Sequence, residues 1–88
     1  MNPPLEIPHV QRIDHVVASV VAAVLGRDDV GPDDDFFVLG GSSISAALVS
    51  TQLEARLGHE VPLRLLFNNP CLRIFSEKLA ESMNVAAQ

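Results

Sequence analysis

Three apolar doublets, Val16-Val17, Val20-Val21 and Val24-Leu25, recur every four residues in the first third of the chain. Valine by itself leans toward strand. Side chains at four-residue spacing share one face of a helix, however, whereas a strand sends neighbouring side chains to opposite faces. The spacing prevails over the propensity and predicts a helix from about Val10, through Ile13, to Leu25, where Gly26 fits a stop. With one long helix committed, an 88-residue chain forms one domain around a single small core. Net stability is expected at roughly 0.05–0.15 kcal/mol per residue. Little room remains for a buried catalytic pocket.

The remaining punctuation predicts the other elements. Residues 1–8, with Pro3, Pro4 and Pro8, read as a flexible leader, and Pro8 lies just before or at the first helical position. Residues 26–42 form a loop of unusual length for a compact domain. Val30, Phe36 and Leu39 are expected to tie it down, and the Asp33–Asp35 run to cap a short turn within it. A second helix is expected from about Ser43 to Leu57, closed by Gly58. Pro62 opens a short helical piece, Leu63–Phe67, and Pro70 starts a final helix to about Met83, followed by a frayed tail at 84–88. The expected fold is an all-α bundle of three main helices plus one short helix, its domain covering 9–83. Val17, Val20, Val24, Phe36, Leu39, Val49, Leu53, Leu57, Leu66, Phe75 and Leu79 are the expected largely buried core.

Composition narrows the function. Eleven acidic residues face six basic ones, a net charge of −5. Nucleic-acid binding depends on neutralising phosphates with Lys and Arg, so this balance argues against it and leaves room for a partner with a basic face. Cys71 is alone, so no internal disulfide is expected, and a reducing cytoplasm fits. The longest apolar run, near Val16–Leu25, is too short to span a bilayer, and no basic segment precedes an apolar run as in a signal peptide. His9, His15 and His59 lack metal-ligand spacing, and the aspartates lack the central glycine and closing glutamate of a calcium loop. No metal is expected.

The segment Asp33-Asp34-Asp35-Phe36-Phe37-Val38-Leu39-Gly40-Gly41-Ser42-Ser43-Ile44 carries the functional signal. The double glycine permits a tight turn, and Ser42 is a favoured N-cap residue. The serines are not in a G-x-S-x-G elbow, which would also need a larger sheet fold. Nothing in so small a chain activates a serine here as a nucleophile. A serine presented at a helix start is a better substrate for another enzyme than a catalyst, so no catalytic residue is assigned.

This segment resembles the modification site of phosphopantetheine-dependent carrier proteins, specifically the peptidyl carrier type. The resemblance covers about residues 10–82: Val24-Leu25-Gly26 at the end of the first helix, Asp35–Ile44 as the core motif, Leu57–Arg64 as the link to the third helix, and Leu66-Phe67-Asn68-Asn69-Pro70 as the family's LF-x-x-P. It implies that Ser43, one residue beyond the two glycines, receives a covalent 4′-phosphopantetheine arm from coenzyme A. A phosphopantetheinyl transferase, with magnesium, would perform that phosphoryl transfer. The arm's thiol would then hold aminoacyl or peptidyl groups as thioesters for adenylation, condensation, tailoring and release enzymes of nonribosomal peptide biosynthesis. The protein would act as a monomeric cytoplasmic carrier with neither nucleic acid nor membrane as partner. An acyl carrier of a polyketide pathway and an unmodified helical docking module are the alternatives.

The chain departs from the family at three places. Ser42 stands where His or Asp is common, Leu65 where an acidic or polar residue is common, and Cys71 where Thr or Ser usually caps the last helix. The last change predicts a cap weaker by roughly 0.5–2 kcal/mol, with Asn69 compensating if the helix begins at Pro70. In the second helix Ala46, Val49, Leu53 and Leu57 suffice as a core stripe. Ile44, Ala47 and Leu48 form a surplus apolar stripe beside Ser43, and with Leu65 they are the expected partner surface.

Overall fold

A computed structural model describes the backbone of residues 9–87 and the side chains of residues 13–83. The expected leader, 1–8, lies outside the described residues. Four helices follow in order: α1, His9–Leu25; α2, Ser43–Leu57; α3, Leu63–Asn68; and α4, Leu72–Ala87. The described residues form no sheet; one isolated antiparallel bridge joins Asp35 to Cys71. The all-α expectation holds.

α1 is the hub: it packs against both α2 and α4, while the short α3 bridges α2 and α4. The four-residue period explains why. Ile13, Val17, Val20 and Val21 are buried and meet Ala46, Val49 and Leu53 of α2 together with Leu72, Phe75, Leu79 and Ala80 of α4. A helix holds β-branched valines to essentially one χ1 rotamer, so a valine stripe gives a stiff central face. Three residues expected in the core are only partly buried against its rim: Val24, Leu39 and Leu57. Val24 and Leu57 lie in the last turn of their helices, and Leu39 ends the loop's own turn; a core this small is open at its ends. Val61, which the periodicity did not single out, is buried. It is held against α2 by its N–H, which donates to Glu54 Oε2 at 2.9 Å, and its carbonyl, which accepts from Ser50 Oγ at 2.8 Å.

The long loop is ordered by local bonds and then strapped to α4. Gly26 takes φ 68, and the Arg27 N–H donates to the Ala22 carbonyl at 2.9 Å, closing α1 by a left-handed cap. Arg27 pairs with Asp29 and donates from Nη1 to the Leu39 carbonyl at 3.0 Å, drawing the two ends of the loop together. Asp34 accepts the Gly31 N–H at 2.7 Å. Asp35 Oδ1 accepts the N–H groups of Phe37 and Val38 at 2.8 and 3.0 Å, capping a turn as the aspartate run suggested. Phe36 is fully buried beneath this turn.

The start of α4 differs from expectation. The helix begins at Leu72, not Pro70, and Asn69 does not cap it. Asn69 closes α3 instead: its N–H bonds the Leu65 and Leu66 carbonyls, and its side-chain amide donates to the Leu65 carbonyl at 3.0 Å. The first N–H groups of α4 find backbone partners in the loop. Leu72 donates to the Asp34 carbonyl at 3.0 Å and Arg73 to the Pro32 carbonyl at 2.7 Å, while the Phe36 N–H returns to the Pro70 carbonyl at 2.8 Å. A side-chain oxygen at position 71 is therefore not needed to satisfy these two donors. At its other end α4 continues to Ala87, beyond the expected Met83. No glycine or proline stops it, and the alanines favour helix.

Candidate functional site

The two glycines before α2 serve different needs. Gly40 has φ 110, a conformation that side chains rarely adopt. Gly41 is required by space: a Cβ there would overlap the ring carbons of Phe36. The Gly41 N–H also donates to the Phe36 carbonyl at 3.0 Å, so one residue supports the turn by its ring and by its backbone.

Ser42 then caps α2 in extended backbone, φ −133 and ψ 177, as expected. Its partner in the capping box is Ser45. The Ser45 N–H donates to Ser42 Oγ at 3.2 Å, and the Ser42 N–H donates to Ser45 Oγ at 2.7 Å. Ser45 Oγ also donates to the Ser42 carbonyl at 3.1 Å. Between these two engaged serines stands Ser43, the first residue of α2, exposed and outside every one of the capping bonds. A reagent can approach its hydroxyl from solvent, at a helix end whose dipole favours an anionic product.

The surface beside this serine is apolar. Ile44 is 77% exposed and Leu48 51%, and Ala47 is also exposed. Leu65 is half-buried against the edge of the core; the exposed apolar side chains of α3 are Leu63 and Phe67. Val38, 83% exposed, lies on the loop turn, and Ile74 is exposed on α4. Sequence reasoning missed these four. Val38 sits in an unbroken apolar run, where only the Asp35-capped turn decides which side chain faces out. Phe67 stacks on Phe37 with centroids 5.5 Å apart.

The ion pairs hold the loop, not the serine. Asp33 Oδ1 accepts from Arg73 Nε at 2.8 Å, and that hydrogen bond lowers the Asp33 carboxyl below its ordinary value. Arg27 does the same for Asp29. Among the described residues, no group of three or more His, Cys, Asp or Glu side chains is placed to hold a metal ion. No helix of the described residues is long and apolar enough to cross a membrane.

A small bundle that uses two glycines to set an exposed serine at a helix start has the form of a carrier. Residues 15–79 match the family described as "Phosphopantetheine attachment site", and the chain belongs to that family. It is a carrier domain of the peptidyl type, whose cofactor is 4′-phosphopantetheine. It is 46% identical over 68 residues, 77% of the chain, to one of the linear gramicidin synthase proteins of Brevibacillus parabrevis. The chain spans 1% of that relative's length. Its fold is similar to BlmI, a type-II acyl-carrier-protein from Streptomyces verticillus involved in bleomycin biosynthesis, with TM-score 0.80 and 28% identity over 84% of this chain and 89% of that one. It is also similar to a chain in the complex of the phosphopantetheine transferase Sfp with coenzyme A and a peptidyl carrier protein, with TM-score 0.74 and 27% identity over 89% of this chain and 95% of that one.

Proposed function

We propose that Ser43 is the attachment serine and that the chain, as a domain over residues 9–83, carries aminoacyl or peptidyl intermediates between enzymes of nonribosomal peptide biosynthesis. The observation that supports this most is the division of labour among three serines: Ser42 and Ser45 cap each other, and Ser43 alone of the three stays out of the box. In the transfer, the Ser43 oxygen forms a bond to the phosphorus of coenzyme A next to the pantetheine. The pyrophosphate bond breaks, the adenosine bisphosphate leaves, and the serine proton passes to the transferase. Positioning and charge stabilisation drive such a step, and the transferase and its magnesium supply them. The chain contributes exposure and a fixed approach, not catalysis. Once attached, the arm supplies a thiol that holds acyl groups as thioesters.

The partners are a phosphopantetheinyl transferase and, after modification, adenylation, condensation, tailoring or release enzymes of the cytoplasm. Ile44, Ala47, Leu48 and Leu65 form the surface they grip, an apolar patch of the kind that marks interaction sites.

Intact mass after incubation with coenzyme A and a broad-specificity transferase tests the reading. A gain of one arm, followed by loading of an amino acid by an adenylation enzyme, is expected. No gain marks an unmodified docking module, and an arm loaded only by acyl transferases marks a polyketide-type carrier. Leu48→Gln and Leu65→Gln are expected to keep the fold and slow loading. Unfolding of both, or full turnover in both, contradicts the patch.

A further inference from the structure

The short helix α3 is linked to the Ser43 turn through three aromatic rings. Phe67 of α3 is 41% exposed. Its ring stacks on Phe37, with centroids 5.5 Å apart and planes at 14°. Phe37 meets Phe36 edge to face at 5.1 Å and 84°. Phe36 in turn lies against Gly41, too close for any side chain there, and accepts the Gly41 N–H through its carbonyl. Gly41 is two residues from Ser43. The chain of contacts therefore runs without a gap from a solvent-facing ring to the backbone that aims the serine.

We infer that Phe67 is a positioning residue for the modification of Ser43, acting through Phe37, Phe36 and Gly41. The inference rests on the reading that Ser43 is modified. A six-residue helix is too short to be stable alone and depends on its packing. Its aromatic contact with the loop is therefore an element that a partner pressing on α3 can tighten or release. Phe36 is buried in a close-packed interior with no slack to absorb a shift, so a change in the Phe37 ring is felt by Phe36 and, through it, by Gly41.

The Gly41 N–H is a built-in reporter, because its hydrogen bond closes the turn. In the free protein, Phe67→Leu keeps apolar bulk and loses the stack. Amide exchange at Gly41 is expected to speed about two- to tenfold, the population change that loss of one aromatic pair produces. Exchange at Val20, in the core of α1, stays unchanged. Phe37→Leu has the same effect, and the double variant adds little to either, as expected for residues in one series. The initial rate of arm attachment falls with the same ordering, and Phe67→Tyr, which keeps the stack, restores both. Unchanged Gly41 exchange overturns the inference, including when attachment still slows, since Phe67 then only touches the transferase. If Phe67→Leu speeds Val20 exchange as well, Phe67→Tyr decides: Gly41 protection unlike wild type overturns the relay. Absence of attachment to wild-type protein defeats the Ser43 reading and leaves Gly41 exchange to judge the relay.

Discussion

Gly40 and Gly41 are adjacent in sequence and answer to different physics. Gly40 is needed for its positive φ, and Gly41 for the Phe36 ring that occupies the place of its missing side chain. Gly41→Ala must push a buried ring or the turn itself, so it is expected to lower stability by about 1–3 kcal/mol, the usual cost of overpacking. It should also slow arm attachment, since this turn sets Ser43. Urea denaturation with parallel attachment rates checks both. A stable variant attached at the wild-type rate would show that the Phe36 ring does not constrain the turn. At this scale the sequence was partly legible: Ser42 as cap follows from local spacing, whereas the choice of Ser43 among the three serines is implied by the family resemblance. The ring against Gly41 and the outward turn of Val38 were not, because both depend on how the loop folds over α1.

At the scale of elements, caps made from nearby residues could be read and caps made across the chain could not. α2 begins and ends as its serines and Gly58 predict, because both caps lie within a few residues of the helix. α4 starts two residues later than Pro70 suggests, because the carbonyls of Pro32 and Asp34, some forty residues earlier, meet its first N–H groups. The Arg73–Asp33 pair reinforces that strap. The Asp33 carboxyl is lowered first by its hydrogen bond to Arg73 and then by the guanidinium charge. A lowered folded-state value contributes stability that is present above the unfolded value and lost as pH falls through the folded one. Stability attributable to this pair should thus be level from neutrality down to the ordinary carboxylate value of 3.8, then decline below it. Both partners are solvent-exposed, so the effect is small and weakens with salt. Urea midpoints for wild type and Asp33→Asn, followed into acid at low salt, measure it. Wild type should lose more than the variant; equal losses would contradict the assignment.

For the molecule as a whole, one ring carries an unusual share. Phe36 is fully buried, anchors the long loop, contacts Gly41 and, through its N–H, joins the start of α4. Phe36→Ala is expected to cost about 3–5 kcal/mol. A domain of 88 residues has about 4–13 kcal/mol in all. A thermal midpoint within a few degrees of wild type would refute the anchoring role. The same periodic stripes that let the fold be read from sequence also exposed what they left over: the second apolar stripe of α2 is not needed by the core, and it lies beside the serine. The most direct measurement of the central claim is site-resolved mass spectrometry after transfer from coenzyme A, carried out on wild type and on Ser42→Ala, Ser43→Ala and Ser45→Ala. One arm, on Ser43, is predicted in wild type and in the two capping variants, and none in a folded Ser43→Ala. An arm on Ser42 or Ser45, or mass gain persisting in Ser43→Ala, would contradict it.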